Sequence, residues 1–273
     1  MKLKLLSKGR IAAGIATVVV VAGSVGAIAF AANGMDVVHK NVLMSEADTG
    51  NAVKVDDLAQ KLINSQGTIE YTKTIHTITG EDKFSGDKSF IAETWLDPKT
   101  FENREDCKII TGENSFADFH STYLKNNGLE AITVQRDENG SAVSGTITKM
   151  SEDAAYKNFS IGIKLNAFAS IKERSSLPDW KAEGTEKTSD GKELKKLSQT
   201  YMSSNPDNVQ VKTSLVYYVD TATGFPVREE LYQEADGTMK MIWYDTYEYR
   251  YVDNDGTLFD TDGVQLKETA FNK

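Results

Sequence analysis

The sequence predicts an α+β protein that is mainly antiparallel β, and three observations predict it. Runs rich in β-branched and aromatic residues fill most of the chain after Thr68. Between them stand Asn139-Gly140, Asp190-Gly191, Asp236-Gly237, Asp255-Gly256 and Asp262-Gly263, pairs that supply the positive φ angles of tight hairpins. One amphipathic helix precedes them. Hairpin signals at this density imply a meander, not a parallel α/β sheet.

The chain opens with a basic segment, residues 1–10, holding Lys2, Lys4, Lys8 and Arg10 and no acid. Residues 11–32, IAAGIATVVVVAGSVGAIAFAA, follow as 22 residues without a charge, Asn, Gln or Pro. As a helix they would span roughly 33 Å, enough to cross a bilayer. Positive charge before the segment, and Asp36 as the first charge after it, predict an amino terminus inside and the bulk of the chain outside. Two readings stand. The length favours an uncleaved single-pass anchor; Ala29-Phe30-Ala31 has the small-x-small form of a signal-peptidase site, and cleavage after Ala31 would release a secreted protein. Both place the main domain outside the cytoplasm. Gly23 and Gly26 would allow close helix pairing in the membrane, a weak signal in a segment of this composition.

Residues 33–51 are polar and without period, and read as a linker. The extracytoplasmic domain, residues 52–273, begins with VKVDDLAQKLINSQG. Val55, Leu58, Leu62 and Ile63 fall at helical spacing, Asp56 and Asp57 sit in the first turn, and Gly67 can end the helix. Strand language follows in TIEYTKTIHTI, KSFIAETWLD, EAITVQR, KELKKLSQTY, NVQVKTSLVYYVD, PVREELYQ and TMKMIWYDTYEYRYV. A second helical patch is expected at SEDAAYKNF with Ser151 as its cap.

Beyond the first ten residues the chain holds 27 basic and 40 acidic side chains, a net −13. Such a surface repels phosphate backbones and speaks against nucleic-acid binding. Cys107 stands alone, which rules out an intramolecular disulfide, a CxxC pair and a four-cysteine zinc site. His39, His76 and His120 are the histidines, and no HExxH, GxSxG, Walker or post-strand GxGxxG motif is present. His120-Ser121 are neighbours in sequence, which does not make a nucleophile–base pair. Asp253, Asp255, Asp260 and Asp262 crowd one loop, but Tyr251 and Leu258 stand where an EF-hand pattern needs its first ligands, so solvated turns are the better reading than calcium. The residues imply no cofactor and no enzyme.

Alternation along the strands defines faces. Met239, Met241, Trp243, Asp245, Tyr247, Tyr249 and Tyr251 share one side of their strand; Val209, Val211, Thr213, Leu215, Tyr217 and Val219 form the more apolar side of another. Each needs cover, so the sheet must curl on itself or meet something else. A binding face is expected from Leu215, Tyr217, Leu231, Trp243 and Tyr247, provided no register error flips a strand.

LPDWKAEGTEKTSDGKEL (177–194), LVYYVDTATGFPVREELY (215–232) and YEYRYVDNDGTLFD (247–260) stand in order. In this pattern the chain resembles the bacterial lipoprotein carriers of the LolA-like superfamily and their relatives among sigma-factor regulators of the MucB/RseB type. The resemblance runs over about Val53 to Asp260 and marks strands and a turn, not catalytic groups. It implies a curved half-barrel sheet wrapped around one or more helices, with an apolar concavity. It further implies a lipid, a lipoprotein or another hydrophobic envelope ligand, or alternatively an envelope protein partner in sigma/anti-sigma stress signalling. An uncleaved anchor departs from soluble carriers and favours a tethered binding or sensing role over a shuttle.

Overall fold

The structure, a computed structural model, describes residues 68–79, 88–112, 115–155, 166–204, 209–261 and 263–270. The basic start, the apolar segment 11–32, the linker and the helix expected over Val55–Ile63 lie outside the described residues. Among the described residues no helix is long and apolar enough to cross a membrane.

The expected antiparallel β architecture is present, as a sheet of twelve strands. β1 (Ile69–Ile78), β2 (Phe90–Leu96), β3 (Asn103–Gly112), β4 (Ser115–Lys125), β5 (Glu130–Arg136) and β6 (Ala142–Lys149) form a first meander. β7 (Lys181–Lys187), β8 (Glu193–Ser204), β9 (Gln210–Asp220), β10 (Pro226–Ala235) and β11 (Thr238–Val252) form a second, and β12 (Leu266–Ala270) follows. The spatial order is β12-β6-β5-β4-β3-β2-β1-β11-β10-β9-β8-β7. The two meanders are therefore sewn together along β1 and β11, which run antiparallel from Ile69↔Val252 to Ile78↔Trp243. β12 departs from the pattern by pairing parallel to β6.

The turn chemistry does what its residues require. Asp236 and Gly237, at φ of 54° and 73°, form the two-residue turn that joins β10 to β11. At the β9–β10 turn the Asp220 carboxylate accepts from Ala222 N at 2.8 Å while its carbonyl accepts from Gly224 N at 2.7 Å.

This strand order forces two long crossings. β6 lies near one edge and β7 is the other edge, so the chain between them must traverse a face. It carries α1 (Glu152–Ala155), at the start of the patch expected near Ser151, and α2 (Phe168–Arg174), which the sequence pattern did not announce. Phe168 and Ile171 of α2 pack with Phe225, Tyr249 and Tyr251. The return from β11 to β12 crosses the opposite face. There Arg104 Nη1 donates to the Leu258 carbonyl at 3.2 Å, Phe259 is buried, and Val264 and Leu266 cover Tyr123, Ile132 and Val134. The core is thus split into clusters on both faces of one sheet.

Candidate functional site

On the face that α2 covers, register brings the sequence-chosen residues together. Leu215, Leu231 and Trp243 stand opposite one another across β9, β10 and β11, with Ile78 of β1 next in the row. The adjacent row runs Tyr217, Glu229, Asp245, His76. Tyr247 lies one pleat further along β11, opposite Thr74. Paired residues in a ladder share a face, so all five chosen side chains point the same way. Tyr217, Leu231, Trp243 and Tyr247 are buried and Leu215 is half-buried.

One part of the expected alternation breaks. A bulge beside Leu231 and Tyr232 sets Met241 opposite Tyr232 and Met239 opposite Glu234. Tyr232 and Tyr218 both reach Glu230 on the other face. Met239 and Met241 therefore leave the face of Trp243, because one extra residue reverses the alternation.

The chosen face also carries charge. Tyr247 donates its hydroxyl to Glu229 Oε2 at 2.7 Å and to Asp245 Oδ2 at 3.1 Å, bridging two carboxylates that are register partners. The other Asp245 oxygen lies 2.6 Å from His76 Nδ1. His76 is stacked on Phe90 and tilted against Trp243, with centroids at 4.8 and 5.3 Å. Burial pushes the Glu229 carboxyl upward, and the facing Asp245 charge pushes it further. Burial, then the nearby carboxylates, likewise hold the Tyr217 and Tyr247 phenols above the ordinary tyrosine value, so both remain donors.

α2 and the residues after it complete the site. Burial lowers the pKa of the Arg174 guanidinium, but Tyr217, Glu229, Tyr247 and Tyr249 around it outweigh that and keep it raised. Its Nε, and the Tyr249 hydroxyl, are shut off from solvent without a hydrogen-bond partner. Such groups are normally satisfied by water or ligand. Trp180 stacks on Tyr217 with centroids 4.6 Å apart and donates Nε1 to the Arg174 carbonyl at 2.8 Å. At the other end of α2, Ala167 offers no side-chain cap, and Glu70 Oε2 of β1 accepts from Phe168 N at 2.9 Å. Burial raises Glu70 to about 7, against that hydrogen bond. Beside α2, the last β10–β11 pair is Arg228↔Thr246. There a cleft of about 240 Å³ is lined by Phe168, Phe225, Tyr247 and Tyr249 with Lys192 and Asp220.

The sequence reading did not mention Glu229 or Arg174, and it named His76 and set Asp245 on this face without choosing either for the site. Their signal was visible: Glu229 and Asp245 interrupt otherwise apolar stripes two residues from Leu231 and Trp243. The other candidates go elsewhere. His120 and Ser121 pair with Cys107 and Asp106 on opposite faces, and Ser121 accepts from Arg136 Nε at 2.5 Å. Burial pushes the Cys107 thiol up to about 12, which makes it a poor nucleophile. Asp255 accepts from the amide and hydroxyl of Thr257, holding its own turn; Asp262 lies outside the described residues. Among the described residues no group of three His, Cys, Asp or Glu side chains is placed to hold a metal ion.

No family model matches the chain, and no curated protein matches it. Among solved structures it is similar to the crystal structure of a beta-barrel-like protein of domain of unknown function DUF1849 from Brucella abortus. The two agree with a TM-score of 0.21 and 8% identity over 68% of this chain and 97% of that one. At that score the likeness assigns no family.

Proposed function

We propose that the chain is a membrane-tethered, extracytoplasmic binding domain of the LolA-like half-barrel kind. It takes the apolar part of a lipid, a lipoprotein or a similar envelope ligand against the face of β9, β10 and β11 that α2 covers. The observation that carries this reading is the row Leu215–Leu231–Trp243 with Tyr217 and Tyr247 beside it, an aliphatic and aromatic surface contributed by three adjacent strands. Aromatic and aliphatic walls with a few convergent polar groups suit an amphiphile better than a small polar substrate. The orphaned Arg174 Nε and Tyr249 hydroxyl would then serve a ligand's polar end. Because Phe168, Arg174 and Trp180 lie over this surface, entry requires the α2 segment to yield.

The test is photolabelling of the full chain in lipid nanodiscs with a diazirine-bearing fatty acid, followed by peptide mapping. Adducts are expected in residues 210–252 and should be competed by unlabelled long-chain amphiphile. Adducts confined to residues 11–32, or labelling that no amphiphile displaces, would overturn the reading.

A further inference from the structure

We propose that the first meander carries a second binding site, a row of hydroxyls around Glu105 that takes a saccharide. The site is separate from the β9–β11 surface and does not depend on an acyl chain being held there.

Register builds the row. Tyr249 of β11 stands opposite Thr72 of β1, Thr72 opposite Thr94 of β2, and Thr94 opposite Glu105 of β3. Glu105 in turn faces Thr122 of β4, and Thr133 of β5 and Thr146 of β6 complete the line. Laddered partners share a face, so hydroxyls and one carboxylate run across the sheet on the face that α2 covers at its Tyr249 end. Thr94, Glu105 and Thr122 are no more than 5% exposed. Yet Oγ1 of Thr94, Oγ1 of Thr122 and the Tyr249 hydroxyl are shut off from solvent without a hydrogen-bond partner. Leaving a buried hydroxyl unpaired is costly, and native structures hold few such groups. Three in one row point to a partner that brings its own hydrogen bonds.

The surroundings decide the chemistry of that partner. The strands that carry Thr94 and Thr122 lie roughly 10 Å apart, two strand spacings, which is too wide for one ion and suits a sugar ring with its hydroxyls. Threonine hydroxyls donate and accept while Glu105 accepts when ionised, and a polyhydroxyl ligand matches both. Among the described residues of β1–β6 this face holds no lysine or arginine, which disfavours a phosphate or carboxylate ligand. One carboxylate is too few for a divalent cation. Along one side of the row Leu96 and Leu124 pack with Met150 and Ala155, an apolar wall for the C–H face of a sugar. At the β5–β6 end the row meets solvent: Thr133 and Thr146 are half-buried, and the next pair, Gln135 and Ser144, is exposed.

Saturation-transfer NMR on the full chain in lipid nanodiscs tests this, read on sugar-ring protons. The probes are glucose, galactose, mannose and N-acetylglucosamine, each free and as its octyl glycoside. Transfer to at least one sugar is expected. Binding of the free sugar marks a soluble or wall glycan, and binding of the octyl glycoside alone marks a glycolipid head. Thr94→Val and Thr122→Val should each weaken that binding about 3- to 10-fold, while Thr94→Ser and Thr122→Ser retain it. Valine replaces an unpaired buried hydroxyl with a methyl of similar size, so the thermal midpoint should hold or rise. A hydroxyl with a purely structural role would lose stability instead. No transfer to any probe, binding untouched in the valine variants, or a lowered midpoint in them would overturn the proposal. The fatty-acid photolabel does not engage the row, so failure here is read separately from failure of photolabelling.

Discussion

Glu229 and Glu230 are adjacent buried carboxylates that point to opposite faces, and their partners give them different tasks. Glu230 accepts from Tyr218 at 3.0 Å, Tyr232 at 2.9 Å and Arg228 Nε at 2.7 Å, so both of its oxygens are hydrogen-bonded. Removing it strands three donors, so Glu230→Ala should cost on the order of 3 kcal/mol, read as a lower denaturant midpoint at unchanged m-value. Glu229 accepts from Tyr247 but stands against Asp245, and burial holds its pKa up. A sequence shows both as acids in a strand. Only cross-strand register, here with Tyr217 and Asp245 on either side, tells which acid faces a second carboxylate.

At the scale of the element, the hairpins were the most legible part of the molecule. Their turns demand particular backbone angles that few residues supply. Gly224 is the sharpest case: its φ is +74°, and a Cβ there would lie 3.0 Å from Lys172 Cε of α2. Gly224→Ala should therefore cost about 1–2 kcal/mol. It should also raise exchange in α2, because the turn and the helix are in contact; unchanged melting and unchanged exchange would count against that coupling. Elements set by partners rather than pattern were not legible. β3 reads as a charged run until Arg104 is seen donating twice to Asp106, at 2.9 and 2.7 Å, and resting over Trp95 and Tyr123. α2 has two buried apolar side chains to show for itself, and β12 is five residues paired in parallel to a distant strand. The face assignment of β11 was right from Trp243 onward and wrong for Met239 and Met241, since alternation cannot reveal a bulge. The edge strand β7 is exposed throughout and carries Lys181, Glu183, Glu186 and Lys187 with a bulge beside Gly184. Charge and bulge together discourage pairing with another chain.

At the scale of the whole molecule, the seam between β1 and β11 decides what the protein can do. It joins residues more than 160 positions apart, as His76 and Asp245 illustrate, and it assembles one face from both meanders. α2 lies over that seam on one face, and the β11–β12 crossing covers β3 to β5 on the opposite face. A surface built this way belongs to the folded sheet and to no single segment, which is why alternation could nominate its residues, Asp245 among them, but could not show that Glu229 faces Asp245 across the strands. The central claim is that an amphiphile occupies this α2-covered face. The most direct measurement is an experimental structure of the full chain with a long-chain fatty acid bound. The account predicts acyl density against Leu215, Leu231 and Trp243, with the Phe168–Trp180 segment displaced from its seat over Tyr217. Acyl density elsewhere, with Trp180 still stacked on Tyr217, would contradict it.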